Sequence, residues 1–462
     1  MSDAHGQWRD GDEWAEEARR HFEAGRLKEA EAALRQALTR SPDRPEWHFH
    51  LGRLLEQAER PEEARESYLR CHELDPDAPE PLLAAAGVGD AERDPEEARQ
   101  ALSLVERAVA LDRSRDEAHA RRIVLLDVLG RHEDARAAFY EAQEFVERPT
   151  FSLIAMADRL EEAGDLPRAA WCYREALRHD AEFSEVRRLY ARCLARQGEH
   201  PKALQNYMHV LREMPGDTDT LLDCAELLWQ LKREGEATEK LHRVIELEPA
   251  NVRAHHMLGA LELRAARWDR AVLEFELVLK LEPERTAVRL DLAEAQLRRG
   301  RAAEGRAALR AFVEGSGPWR PWREGAEDDA ARATDEERTA ELCARAGGLL
   351  MAAGMWDDAA CVVSHLARAC PDRADAWRAL ARACFESGDL EGGRSAAARA
   401  LGIEPDCVIS LHNLALAALR QGDLDAAWDH ARRGLRIARG DEGLRRIRSR
   451  VAIARLRKWL RL

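Results

Sequence analysis

Runs of β-branched residues are nearly absent from this chain, and no apolar stretch approaches the roughly 18 residues that a membrane-spanning helix needs. The first lack argues against strands and for helices throughout. A positive charge balance is missing as well: 72 basic residues face 86 acidic ones, for a net charge of −14. A protein coated in nucleic acid needs a basic field, so that class is disfavoured. Only six of the basic residues are lysine, an arginine bias that suggests a GC-rich bacterial genome. The nine cysteines are an odd number without CxxC spacing, which points to reduced, packed thiols and away from a disulfide frame or a zinc site. No phosphate-cradling glycine loop, HExxH or GxSxG occurs, so no enzyme class, cofactor or metal is indicated. The first residues, MSDAHGQWRDGDEW, have neither a basic start nor an apolar core, and the expectation is a cytoplasmic protein.

What is present is a period. From Ser184 to Pro283 a pattern returns every 34 residues without a gain or loss. Ala191, Ala225 and Gly259 share one phase, Ala203, Ala237 and Ala271 a second, and Pro215, Pro249 and Pro283 a third. Large residues sit beside the small ones, with Tyr190, Cys224 and Leu258 one step before the first phase and Tyr207, Leu241 and Phe275 four steps after the second. Small residues let two helix backbones approach, large ones fill the space next to them, and proline stops the second helix. The expectation is a stack of helix pairs sharing one continuous core.

The phase extends in both directions. Ala18, Ala30, Leu34 and Pro42 mark a first repeat, and Gly52, Ala64, Tyr68 and Pro76 a second. The third keeps Ala101 and Val105 in phase only with three extra residues near Glu92 to Pro95, so a bend or a longer second helix is expected there. Repeats four and five carry Ala135 and Phe139, then Ala157, Ala169 and Tyr173, and a ninth follows the three central ones. The segment 318–339 interrupts the pattern with Trp319, Trp322 and an acidic cluster, and Thr334 with Glu337 reads as a capping box that starts the next helix early. Three further repeats resume. The reading is thus a tail at 1–10, repeats at 11–317, the insert at 318–339, repeats at 340–441, and a basic capping helix at 442–462.

Counting from the first residue of each repeat, the eighth is small in all but one, Ile123, the twentieth is Ala or Gly throughout, and seven repeats carry Pro at the thirty-second. The chain resembles a tetratricopeptide repeat protein along nearly its whole length. That resemblance implies an all-α, right-handed superhelical solenoid of about twelve helix-turn-helix repeats. It also implies a non-enzymatic scaffold that binds a partner peptide or helix in a concave groove lined by positions 2, 5, 9, 12 and 13 of the first helices. The groove candidates are then Arg188, Arg192 and Arg196, Glu226 and Trp229, and Arg253, His256 and Arg264. Arg378, Arg382 and Asn413 resemble part of a clamp for an acidic peptide terminus, although Gly443 and Ile447 stand where a full clamp would be basic. An acidic protein or peptide is therefore the expected partner. Against this stands the blander reading of arginine faces balanced by neighbouring acids. His48 and His255 take the large fourth position, so packing explains the pairs His48/His50 and His255–His256 better than metal binding does.

Trp319 and Trp322 are expected to dock on the array, with an aromatic anchor for a partner as the alternative. Leu444, Ile447 and Val451 fall on one side of the last segment, where they would cap the stack, and Arg446, Arg450, Arg457 and Arg461 on another. This is the one stretch where an anionic membrane or nucleic acid would find a basic surface, and another copy or an acidic partner fits it equally. Two rival functions remain: a dedicated non-catalytic subunit or regulator of an enzyme or secretion assembly, and a glycan- or nucleotide-processing enzyme. The oligomeric state is not legible.

Overall fold

The computed structural model describes the backbone of residues 10–314 and 329–460, and side chains at 10–314 and 339–457. Trp319 and Trp322 lie outside the described residues. Among those described there are 25 α-helices and no strand, an all-α solenoid. They fall into two compact units, Met1–Leu227 and Leu228–Leu462, which divide within one helix.

The first unit pairs α1 (Gly11–Glu23) with α2 (Leu27–Arg40), α3 (Pro45–Gln57) with α4 (Pro61–Leu74), and α5 (Glu80–Gly87) with α6 (Pro95–Leu111). It continues with α7 (Asp116–Val128) and α8 (His132–Phe145), α9 (Thr150–Glu162) and α10 (Leu166–His179), and α11 (Ser184–Arg196) and α12 (His200–Glu213). The division falls in α13 (Thr218–Gln230), which precedes α14 (Glu234–Leu247). The second unit holds α15 (Val252–Arg264) with α16 (Trp268–Leu281) and α17 (Thr286–Arg298) with α18 (Ala302–Glu314). After the insert come α19 (Asp329–Ala352) with α20 (Trp356–Ala369), α21 (Ala374–Ser387) with α22 (Leu390–Ile403), α23 (Val408–Gln421) with α24 (Leu424–Ile437), and α25 (Glu442–Leu460).

The small phase at position 8 exists because a large side chain from position 24 lies against it. A Cβ added at Gly52 would stand 2.6 Å from the Tyr68 ring, and one at Gly259 would stand 2.7 Å from Phe275. Tyr68 and Phe275 are themselves fully buried, so each pair is locked at one spacing. The turn between paired helices is equally regular. Position 15 takes the left-handed conformation at Gly25, Gly130, Gly164, Gly198, Gly300, Gly354 and Gly422, and also at Glu59, Lys232 and Ala266. The next residue closes a six-residue loop onto the first helix, as in Arg26 N–H to His21 O and Arg233 N–H to Leu228 O, both 2.9 Å. This caps orphan carbonyls and reverses the chain.

Position 4 carries a role that its large size alone does not announce. The ring nitrogens of His48, His119 and His255 donate to the carbonyls of Pro42, Arg113 and Pro249, and the Trp377 indole donates to Pro371, all at 2.9–3.0 Å. Arg187, Arg289 and Arg445 make the equivalent bonds to Ala181, Pro283 and Arg439. Each of these seven bonds spans six residues and ends on position 32 of the preceding repeat. A nitrogen-bearing side chain at position 4 thus pins the inter-repeat turn, with proline at position 32 in four of these cases and another residue in three.

Two departures from the period have local causes. In the third pair α5 has 8 residues and α6 has 17, against 13 and 14 elsewhere in the first unit. The expected longer second helix is present, and the first helix has lost its last turn at Gly87-Val-Gly89. The helix after the insert also starts earlier than its capping box suggests. Thr334 lies inside α19, because the alanine-rich run from Asp329 favours helix and carries the start upstream. One first turn borrows its cap from the repeat before. The α9 terminus has no side-chain cap of its own, and Asp116 of α7 accepts from the Phe151 and Ser152 amides at 2.5 and 3.1 Å. Burial holds the Asp116 carboxyl above the ordinary range against the pull of its bonds to Ser152 and Phe151. No helix among the described residues is long and apolar enough to cross a membrane.

Candidate functional site

Several charged side chains of the first helices pair across neighbouring repeats. Arg188 on α11 reaches Asp223 on α13 at 3.0 Å and Glu185 at 2.6 Å, and its side chain is only 14% exposed. Arg196 lies 2.6 Å from Glu161 on α9, and Arg192 lies 3.6 Å from the same oxygen. His256 on α15 meets Asp291 on α17 at 3.0 Å, and Asp291 and Glu294 both receive Arg345 of α19, at 2.7 and 2.8 Å. The last contact carries the ladder past the insert. A base at position 5 finds an acid at position 6 of the next repeat, and a base at position 13 finds one at position 12 of the previous repeat. The signal is a base–acid spacing of 35, one more than the period.

The other candidates are placed as follows. Arg264 bonds Glu234 at 3.0 Å and stands 6.0 Å over the half-buried Trp229, whose indole nitrogen has no partner. Glu226 on α13 is half-buried, and Arg253 is exposed on α15. Arg378 pairs with Glu404 and lies 3.7 Å from the Cys407 sulfur, while Arg382 is exposed beside the Trp356 ring and Asn413 is half-buried on α23. Burial works to raise the Cys407 thiol, but the Ser410 hydroxyl and amide and the Arg378 guanidinium hold it below its ordinary value. Six other cysteines, Cys71, Cys172, Cys193, Cys224, Cys343 and Cys384, are buried, and burial pushes Cys71 and Cys343 to about 11 and Cys172 to about 12.

Two clefts open between consecutive first helices. One, of about 510 Å³, lies between α9 and α11 and brings Arg192 and Arg196 together with Asp158, Glu161, Glu162 and Leu189. The Tyr173 hydroxyl donates into it from below, to Asp158 at 2.5 Å and to Glu161 at 3.1 Å. Burial raises the Asp158 carboxyl, and Tyr173 pulls the other way. The second cleft, of about 520 Å³, lies between α1 and α3 and has a floor of Ala15, Ala18, Phe22, Leu34, Trp47 and Leu54. Its rim carries Asp12, Glu16, Glu23 and Glu46 with Arg19 and Arg53. His50 also lines it, held below its ordinary value by burial and by Arg53. Sequence reasoning passed over this cleft, yet the groove positions applied to repeat one name Asp12, Ala15, Arg19, Phe22 and Glu23. Two of those five, Ala15 and Phe22, are apolar. No group of three or more His, Cys, Asp or Glu that could hold a metal ion occurs among the described residues.

At the other end, α25 buries Leu444, Ile447 and Val451 against α24. Arg455 bonds Asp425 of α24 at 2.5 Å and stacks over Trp428. Arg446, Arg450, Ile453, Leu456 and Arg457 are exposed on the outer side.

The family model described as Tetratricopeptide repeat matches residues 16–79, 154–217, 256–318 and 345–406, together more than half of the chain. Among curated proteins, Protein O-mannosyl-transferase TMTC3 of Homo sapiens is 24% identical over 250 residues, which cover 50% of this chain and 26% of that protein. The chain thus spans about a quarter of the length of the relative it matches. Among solved structures, yeast Tom70 is 14% identical and covers 98% of this chain and 96% of its own, with a TM-score of 0.37. MamA from Desulfovibrio magneticus RS-1 is 19% identical over 36% of this chain and 93% of its own, at a TM-score of 0.34. YrrB, described as a TPR protein with an unusual peptide-binding site, is 20% identical over 42% of this chain and 98% of its own, at 0.32.

Proposed function

Since the chain belongs to the tetratricopeptide repeat family, we propose that it is a non-catalytic scaffold that holds a partner's peptide or helix along its first-helix face. The observation that carries this reading is the position of the two clefts, each opening between consecutive first helices on the groove positions. A peptide-binding site in YrrB is consistent with it. An acidic segment suits the α9/α11 cleft at Arg192 and Arg196, which share one oxygen of Glu161 and keep 43% and 50% of their side chains exposed, beside Asp158 and the paired Arg159 and Glu162. Arg188 is a poor contributor, since its bonds to Asp223 and Glu185 are already made. The buried thiols suit a reducing compartment, and we place the protein in the cytoplasm.

The test is capture with quantitative mass spectrometry, comparing the wild type with Arg192→Glu/Arg196→Glu and with a control on the opposite face, Arg178→Glu. A partner retained by wild type and control but lost by the double variant supports the groove. Retention of every partner by all three proteins would place recognition elsewhere.

A further inference from the structure

The two ends of the chain present opposite chemistry. Helices α1 and α3 together carry seven carboxylates against three arginines, and four of those carboxylates and two of the arginines line the cleft. Helix α25 carries seven basic residues against one acid. On α25 the residues Arg446, Arg450, Ile453 and Arg457 follow one another at steps of four, three and four, which keeps them on one face of a helix. Ile453 is 54% exposed, and Leu456 beside it is 55% exposed. Capping the stack does not require this outer face, since Leu444, Ile447 and Val451 already do so on the opposite side.

We propose that the α1/α3 cleft receives the outer face of α25 from a second copy of this chain. Ile453 and Leu456 of the second copy occupy the floor formed by Ala15, Phe22 and Leu54. Arg446, Arg450 and Arg457 reach the carboxylates of Glu16, Glu23 and Glu46 at the rim, sharing them with Arg19 and Arg44 in exposed pairs. Two observations favour this occupant over an unrelated peptide. The cleft needs an apolar pair flanked by cations, and α25 has that arrangement fully formed on a rigid helix, so little ordering entropy is lost on binding. The charges are also opposite in sign, which steers the encounter and fixes its polarity. The contact is heterologous, head to tail, and every bound copy leaves one free cleft and one free helix, so association continues beyond a dimer unless a ring closes. This inference assigns an occupant to one of the two clefts on which the scaffold reading rests, while the test of that reading concerns the other, between α9 and α11.

Sedimentation velocity on the full-length protein from low to high micromolar concentration tests it. The wild type is expected to form oligomers larger than a dimer, and to lose them as added salt screens the rim charges. Ile453→Glu/Leu456→Glu on exposed positions should weaken self-association at least about tenfold with an unchanged circular dichroism spectrum, and Glu16→Lys/Glu23→Lys should do the same. Mixing the two variants supplies one intact cleft and one intact helix, and the expected product is a one-to-one heterodimer that grows no further. A wild type that stays monomeric at all concentrations overturns the proposal, as does self-association untouched by either variant. A change in sedimentation on Ile453→Glu/Leu456→Glu without concentration dependence would assign the cleft to the chain's own helix, and overturns it too.

Discussion

Gly347 and Gly348 are adjacent on α19, and the fold predicts opposite outcomes for the same substitution at the two. A Cβ at Gly348 meets nothing within 4 Å, whereas one at Gly347 would stand 2.4 Å from Cγ2 of Val363 on α20. Alanine at either site should gain about 1 kcal/mol of helix propensity over glycine. At Gly347 that gain is opposed by overpacking, which costs roughly 1–3 kcal/mol. Val363 is 1% exposed and β-branched, so its methyl has no free rotamer to adopt. Gly348→Ala is therefore expected to stabilise by about 1 kcal/mol, and Gly347→Ala to range from neutral to about 2 kcal/mol destabilising. In a stack, stability is a sum of local terms, so the assay is native-state hydrogen exchange on α20 amides, with the melting temperature as a coarse check. Equal shifts of α20 protection in both variants would refute the claim that position 8 is small because position 24 lies on it.

Lys232→Gly should raise stability by up to about 1 kcal/mol, because Lys232 holds the left-handed conformation that glycine supplies in most other repeats; Gly198→Ala, at φ 82°, should lower the melting temperature. Asp116→Ala should cost roughly 1–3 kcal/mol by stranding the Phe151 and Ser152 amides, read as faster exchange in the first turn of α9. The raised Asp116 carboxyl also sets a pH trend: its contribution is fullest below the ordinary carboxylate value and declines as pH rises through the folded value. The stability advantage of wild type over Asp116→Asn should therefore shrink across that window in denaturant titrations at several pH values. For Cys407, the pH midpoint of iodoacetamide labelling should lie below that of a model thiol and move up in Arg378→Gln; an unmoved midpoint would remove Arg378 as a cause.

The fold was legible because its determinants repeat. Ala203, Ala237 and Ala271 are buried at one phase, and Tyr207, Leu241 and Phe275 at another, so between the insertions a residue's number modulo 34 states its surroundings. What the period could not show is chemistry hidden inside a size class. His48, His255 and Trp377 read as large packing groups at position 4, yet their ring N–H groups matter as much as their volume, since each ends on a carbonyl six residues earlier. Breaks in the period were located but not resolved. Three extra residues near Glu92 announce a longer α6, while the shortening of α5 depends on how Gly87 and Gly89 leave the first helix.

The site was less legible, for a reason the arginines of α11 make plain. Arg188, Arg192 and Arg196 have the same type and the same spacing of four, and no property of that one helix separates them. What separates them lies one repeat away on either side: Asp223 ahead encloses Arg188, and Glu161 behind is shared by the other two. A groove residue in a repeat stack is available to a partner only to the extent that its neighbours at plus and minus 35 leave it so. Position rules taken from a single repeat therefore name where a ligand would lie without naming its charge. The same logic explains the α1/α3 cleft. Ala15 stands at the position where Arg188, His256 and Arg378 build bridges in other repeats, and a methyl group that reaches no neighbour leaves the floor between α1 and α3 open.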